Sequence, residues 1–545
     1  MLFNSPLEAF LHWEKETPEN IFLKQPTDRG VITYSFKEAG DQIRRIAKYL
    51  KSYDLPVRSH IALLSKNCAH WNMTDLAIMM SGHVSIPIYP TLNSDSISQI
   101  LEHSESKAII IGKLDDFQSQ RPGIPDIPKI SVELYGESEG DSWERIVEST
   151  DHIEDIYSQS SEDLITIIYT SGTTGEPKGV MHTVGNFMES TNTLIKLFNL
   201  PVNLRLFSYL PLAHVAERLI ANSGVVLGAE ISFAQSLDTF AADLEEAQPH
   251  VFFAVPRIWT KFQEKILESI PQKKLNVLLK IPLLNSFLKK KLKQKLGLSH
   301  AVFICSAAAP IASSLVKWYE KLDITVYQGY GMTEDCCVSH FNLPGAHKVG
   351  TVGKPLFNAH AKLSAEGEIC IKNNCLMKGY YKNPELTSQM FDDDGYLKTG
   401  DIGEYDHDGY LTITGRVKDQ FKTDKGKYIS PSHIELLYSK NTDIEQICIV
   451  GTGIPQPIAL VTLSELGKAK SKMELIESLS VTRVGINPGL EKHENIEKVV
   501  VMKEDWNVEN GLTTPTLKVK RSQIEKIHQP LYKNWFAMSE VVIFE

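Results

Sequence analysis

Apolar residues in the first half of the chain follow two alternating rhythms. Short β-branched runs such as Ser59-His-Ile-Ala-Leu-Leu64 and Lys107-Ala-Ile-Ile-Ile-Gly112 are interleaved with longer stretches, residues 35–53 for example, in which apolar positions return with helical spacing. Strands interleaved with helices predict an α/β sheet. The run Leu164-Ile-Thr-Ile-Ile-Tyr169 enters a glycine-rich segment, beyond which Phe187, Thr191, Leu194, Ile195 and Phe198 recur at helical intervals. That segment is therefore expected to link a strand to a helix. From about residue 350 to 416 the pattern changes to short strands between Gly, Asp and Asn turns, as in Gly367-Glu-Ile-Cys-Ile371 and Asp408-Gly-Tyr-Leu-Thr-Ile-Thr414. This predicts an antiparallel or barrel subdomain. The charged stretch Val417-Lys-Asp-Gln-Phe-Lys-Thr-Asp-Lys-Gly-Lys427 introduces a last α/β segment, with a domain boundary expected near Lys418.

A chain of 545 residues exceeds what one hydrophobic core ordinarily supports, which agrees with two or more domains. The hydrophobic share of 42% and the even spread of Gly and Pro argue against disordered, collagenous and coiled-coil classes. A net charge of −10 argues against a general nucleic-acid binder, which needs a concentrated basic surface. Seven cysteines, an odd count without paired C-x-x-C spacing, fit a reduced, cytoplasmic setting. The first residues lack a basic start and a sustained apolar run, so no export signal is expected. No stretch of about 18 consecutive apolar residues predicts a membrane span.

The glycine-rich segment is Tyr169-Thr-Ser-Gly-Thr-Thr-Gly-Glu-Pro-Lys-Gly179. A polyphosphate needs backbone N–H groups that approach closely and bend around it, and Gly172, Gly175 and Gly179 allow this. Thr170, Ser171, Thr173 and Thr174 add hydroxyls, and Lys178 a mobile cation. The plain alternative is a Gly/Thr-rich turn. A Walker A loop is excluded, because G-x-x-x-x-G-K-[ST] occurs nowhere in the chain.

This segment closely resembles the phosphate loop of the adenylate-forming superfamily, which includes acyl-CoA synthetases, peptide-synthetase adenylation domains and firefly-type luciferases. Leu210-Pro-Leu-Ala-His-Val-Ala-Glu-Arg218, Ala254-Val-Pro-Arg-Ile-Trp259 and Leu512-Thr-Thr-Pro-Thr-Leu-Lys-Val-Lys-Arg521 are most similar to long-chain fatty acyl-CoA synthetases. The resemblance implies an α/β fold. Its large N-terminal domain, residues 1–417, would hold two doubly wound αβαβα-like subdomains and a small β-barrel subdomain. A small α+β C-terminal domain, residues 418–545, would carry the catalytic lysine.

It also implies roles for residues. In Gln328-Gly-Tyr-Gly-Met-Thr-Glu334, Tyr330 would pack on adenine beside Gln328, Gly329 and Gly331, Thr333 would contact the α-phosphate, and Glu334 would ligate Mg²⁺ with Thr174. Aromatic stacking suits a purine, and a hard carboxylate oxygen suits a small hard cation. The sequence departs from the usual pattern at Asp335-Cys-Cys337, where the family continues with a small polar residue. Ala307 and Ala308, in Ser306-Ala-Ala-Ala-Pro310, match the small-residue adenine wall; a packed strand end is the alternative. Asp401 matches the acid that accepts from both ribose hydroxyls, and Arg416 a second ribose and phosphate contact. Lys518 matches the lysine bridging substrate carboxylate and α-phosphate, with Lys520 the alternative. Lys418 matches the hinge. His214 matches a gate between acyl pocket and thiol tunnel, or else a packing histidine. Lys425 and Gly426 fall in the segment facing coenzyme A, or in a flexible linker.

From residue 272 to 297 the chain carries Lys273, Lys274, Lys280, Lys289, Lys290, Lys291, Lys293 and Lys295 with no acid, and Leu284, Leu288, Leu292 and Leu296 repeat every fourth position. A basic amphipathic helix can lie on an anionic membrane; alternatively its leucine row packs on the large domain under a solvated lysine face. The overall expectation is ATP- and Mg²⁺-dependent activation of a fatty acid and transfer to coenzyme A, in the cytoplasm or peripherally on a membrane. A ligase loading a carrier protein and a silent nucleotide-binding relative are the competing readings.

Overall fold

The computed structural model describes residues 3–171, 177–357, 359–514 and 518–545. Its largest sheet has eight strands, in the order Gly379–Tyr380, Pro177–Thr183, Leu164–Ser171, Val84–Ile88, His60–Leu64, Ala108–Ile111, Lys129–Ser131 and Asp141–Ser142. From Leu164–Ser171 to Asp141–Ser142 every pairing is parallel. Both faces are therefore covered, and the helix Ala69–Met80 is buried at every position. The helix Phe36–Lys51 starts at a reciprocal cap in which Ser35 and Glu38 satisfy each other's backbone N–H.

One expectation is corrected here. The glycine-rich segment does not pass from strand to helix: it joins Leu164–Ser171 to the antiparallel strand Pro177–Thr183, and only then does the helix Val184–Leu197 begin. The reason is local. From Val180 onward burial alternates, Val180 and His182 buried and Met181 and Thr183 half-exposed, the period of a strand laid along a sheet.

A second sheet begins with the parallel strands Val251–Ala254, Phe303–Ser306 and Tyr327–Tyr330 and turns antiparallel at His340–Phe341 and Lys354–Pro355. A third holds Arg205–Ser208, Glu230–Phe233, Ile21–Thr27 and Gly30–Ser35. The small antiparallel sheet expected after residue 350 consists of His360–Leu363, Glu368–Lys372, Leu397–Tyr405 and Leu411–Arg416.

After Arg416 a single 3-10 turn, Val417–Asp419, leads to a four-stranded sheet of Ile444–Val450, Ile458–Leu463, Val499–Val501 and Val542–Phe544. Alternation along these strands feeds two cores: Cys448, Val450, Leu460 and Val500 face one side, Ile449, Ala459, Val461 and Val499 the other. Two independent cores at this end make it a compact unit of its own.

Candidate active site

Three of these sheets meet in one apolar cluster. Val180 comes from the eight-stranded sheet, Tyr330 from the second, and Ile369, Ile371, Leu397 and Leu411 from the small antiparallel sheet, with Tyr380 packed among them. A tyrosine buries its ring and must still satisfy its hydroxyl, and two do so here on carboxylates. The Tyr330 hydroxyl donates to Asp401 Oδ2 at 2.7 Å, and the Tyr380 hydroxyl donates to Glu334 Oε1 at 2.7 Å. Both carboxylates are buried. Burial pushes the Glu334 carboxyl above its ordinary value, opposed by the Tyr380 hydrogen bond and by the charges of Lys178 and Arg416.

Asp401 and Arg416 face each other across the antiparallel pair Leu397–Tyr405 and Leu411–Arg416. Arg416 Nε donates to Asp401 Oδ1 at 2.6 Å, so Tyr330 and Arg416 grip one oxygen each. This pairing raises the Arg416 guanidinium further above its usual value. Lys178 lies beside the same cluster, its ammonium 5.8 Å from the centre of the Tyr380 ring. Burial and the neighbouring Lys418 lower its pKa.

Lys518 arrives from the terminal unit. Its side chain is open to solvent, yet protein mass crowds it and the charged groups Arg416, Asp401 and Glu334 act on it. That crowding, with Arg416 alongside, lowers its pKa, while Asp401, Cys337 and Glu334 pull the other way. Lys520 instead stands at the start of the helix Arg521–His528. The ion pair of Arg257 with Glu445 ties the helix Pro256–Ser269 to the terminal sheet at Ile444–Val450.

His214 caps the helix Val215–Leu227, its Nδ1 accepting from the Ala216 N–H at 3.2 Å. Burial, then Lys518, lower it to about 4, so near neutral pH the ring is uncharged with its proton on Nε2. In the first turn of this helix lie two residues whose place in the fold no sequence pattern revealed. Glu217 accepts from the Ser208 hydroxyl at 2.7 Å and the Tyr209 N–H at 3.2 Å, and burial raises it to about 8. Arg218 is fully enclosed, donating to Asp75 Oδ1 at 2.6 Å and to the Thr166 hydroxyl, beneath the rings of Trp71 and Phe187.

The Gln328–Gly331 stretch is shaped by close approach. A side-chain carbon at Gly329 would meet the Phe341 ring at 2.2 Å, and one at Gly331 the Cys337 Cα at 2.4 Å, so only glycine fits either place. Thr333 and Glu334 follow in a 3-10 turn that Asp335 closes by accepting from the Met332 N–H at 2.7 Å and the Cys337 N–H at 2.9 Å. The unusual Asp335-Cys-Cys337 sequence thus supplies a capped turn. Ala307 and Ala308 turn out of the strand Phe303–Ser306, Ala308 with φ of 70°. Thr170 pairs with Lys178 across the hairpin. Gly172, Thr173, Thr174 and Gly175 lie outside the described residues, as does the side chain of Ser171. Lys425 and Gly426 form the exposed tip of the hairpin Phe421–Lys422 and Tyr428–Ile429, and Lys418 sits exposed in the turn between the two units.

Glu334 offers one hard oxygen not engaged by Tyr380, next to cationic Lys178. Among the described residues no trio of His, Cys, Asp or Glu could cage a metal alone. This donor set fits a Mg²⁺ ion whose remaining ligands are phosphate oxygens and water.

In comparisons with known proteins, residues 10–381 match the AMP-binding enzyme family and residues 418–538 its AMP-binding enzyme C-terminal domain. Long-chain-fatty-acid–CoA ligase 5 of Rattus norvegicus is 27% identical over 93% of this chain and 84% of the relative. Long-chain-fatty-acid–CoA ligase FadD15 of Mycobacterium bovis is 26% identical over 94% of this chain and 93% of the relative. Among solved structures, the adenylation domain of a carboxylate reductase from Mycobacterium chelonae superposes with a TM-score of 0.82 at 19% identity, covering 98% of this chain and 91% of that one.

Proposed function

Because this chain belongs to the AMP-binding enzyme family and is an adenylate-forming enzyme, we propose that it activates a long-chain fatty acid with ATP and passes the acyl group to coenzyme A. The observation that carries the reading is the meeting of Lys178, Glu334, Asp401, Arg416 and Lys518, from five separated stretches of chain, within reach of one another's charges. The names of the relatives support the long-chain acid.

In the first step a carboxylate oxygen of the acid attacks the α-phosphorus of ATP; the new P–O bond forms as the bond to the β-phosphate oxygen breaks, and pyrophosphate leaves. The nucleophile is already ionised, so no base is required. The residues position the reactants and neutralise charge. Asp401, gripped by Tyr330 and Arg416, accepts from the ribose hydroxyls. Lys518 lies between the acid and the α-phosphate and lowers their repulsion, while Lys178 and the loop of residues 170–175 hold the departing pyrophosphate. Glu334, with Thr174, would hold Mg²⁺, which supplies charge neutralisation on the phosphates. In the second step the thiol of coenzyme A attacks the acyl carbon, the C–O bond to AMP breaks, and the thiol proton passes to solvent. A thiol pKa near about 8.5 leaves enough thiolate for so good a leaving group. His214, neutral, separates acyl and thiol compartments. The units meet at 417/418, with Lys418 the pivot on which the terminal unit turns between the steps and Lys425 and Gly426 facing coenzyme A.

The test is carboxylate-dependent ATP–pyrophosphate exchange across fatty and aromatic acids, followed by product analysis with coenzyme A and an acyl carrier protein in competition. Long-chain acids and coenzyme A are the expected choices. A preference for aromatic acids, or for the carrier, would overturn the corresponding half of the proposal.

A further inference from the structure

The lysine-rich segment folds as two helices, Gln272–Leu278 and Pro282–Lys295, joined by an elbow. Its leucine row divides. Leu288, Leu292 and Leu296 pack on the core beneath, but Leu284 does not, and a different apolar edge faces outward. Leu283 is 88% exposed, Phe287 67% and Val277 59%, with Ile281 between them at the elbow. In the helix Phe287 stands four residues after Leu283 and three after Leu284, so its ring bridges the two leucines into one ridge. Such a ridge is unfavourable in water and is stabilised where apolar matter covers it.

The cover is indicated by charge. Lys273, Lys274, Lys280, Lys290 and Lys291 are exposed around the ridge, and none of them has an ion-pair partner among the described residues. The segment holds eight lysines and no acid, in a chain of 57 basic and 67 acidic side chains, so the remaining 49 basic groups face all 67 acids. Lys289 and Lys295 pair with Asp323 and Glu245, and the other lysines leave the elbow a locally cationic edge on a chain of net charge −10, complementary to a negative surface. An apolar ridge ringed by cations is complementary to a bilayer bearing anionic headgroups, into which the ridge inserts while the lysines stay at the phosphate level. Among the described residues no helix is long and apolar enough to cross a membrane. We propose that this elbow docks the protein on the surface of an anionic lipid bilayer. The inference stands independently of which acid the enzyme activates.

The test is flotation of the full chain with vesicles of phosphatidylcholine alone or mixed with phosphatidylglycerol, at low salt and at about 1 M salt, where charge is screened within about 3 Å. The protein should float only with the anionic vesicles at low salt. Lys290→Gln with Lys291→Gln should weaken binding about fivefold per lysine. Leu283→Ser with Phe287→Ser should weaken it more than about tenfold, because the ridge itself is lost. Neither pair touches the cleft, so pyrophosphate exchange with a soluble acid should be unchanged. Absence of flotation would overturn the proposal. A loss with the lysine pair alone would overturn insertion of the ridge and leave a purely electrostatic contact. If the Leu283/Phe287 pair abolished self-association in sedimentation velocity without changing flotation, the ridge would belong to a second copy of the chain.

Discussion

Tyr330 and Tyr380 rise from one apolar cluster, from different sheets, and each ends on a different buried carboxylate at the same 2.7 Å. The arrangement fixes Asp401 and Glu334 relative to each other through packing that neither carboxylate provides. Removing either hydroxyl leaves a buried acceptor short of a donor, at a cost of about 1–3 kcal/mol. Tyr330→Phe should raise the KM for ATP, and Tyr380→Phe should raise the Mg²⁺ concentration for half-maximal exchange, each about tenfold. Steady-state exchange with ATP and Mg²⁺ varied separately checks this. Equal effects of both variants on both ligands would mean that the tyrosines serve the fold alone.

Lys518→Ala should slow pyrophosphate exchange by about 10²–10³-fold while leaving conversion of supplied acyl-AMP to thioester nearly intact. Comparable losses in both assays would remove Lys518 from the first step. The wild-type pH profile carries a second check. Because the cleft lowers this ammonium below its ordinary value of 10.5, exchange should decline as pH rises through a point below 10.5.

Glu217 makes stability depend on pH. Its carboxyl titrates near 4.5 when unfolded and at about 8 in the fold, so the unfolded chain releases the proton first. Stability is therefore greatest below 4.5, falls through the interval to about 8, and is level beyond it. Glu217→Gln keeps an oxygen for Ser208 and Tyr209 and lacks the titration. The melting temperature of the variant minus that of the wild type should grow between pH 5 and 8, corresponding to at most about 4–5 kcal/mol. A constant difference would show the carboxyl ionised throughout.

Arg218→Leu should destabilise the protein by about 3–5 kcal/mol, since it strands Asp75 in the core. Chemical denaturation of this variant, of Asp75→Leu and of the double variant would measure the coupling. The double variant should lose less than the two single losses combined.

Much of the frame was legible because burial imposes periodicity: the runs around residues 60–64, 108–111 and 164–169 are strands, and the helical spacing over 35–53 is the helix Phe36–Lys51. The family resemblance singled out Asp401 and Arg416, but only the strand register makes them opposite neighbours. Tyr380 was invisible, since its bond to Glu334 spans 46 residues and leaves no local pattern. The strand Pro177–Thr183 was missed because the helical rhythm beginning at Val184 overshadowed an alternation only four residues long, from Val180 to Thr183. The leucine row from 284 to 296 showed a helix with a preferred side but could not tell which apolar edge faces water; only packing decides that.

The ion pair between Arg257 and Glu445 acts as a clutch plate. Both partners are partly open to water, where such pairs contribute about 0–1 kcal/mol and weaken with salt. On the proposed mechanism, the pair holds the terminal unit with Lys518 toward the first reaction, and a turn of that unit about Lys418 would have to let it slip. A grip this light can be released in every cycle. Ionic strength then becomes a gear: added salt should favour reactions limited by the thioester step and penalise those limited by adenylation.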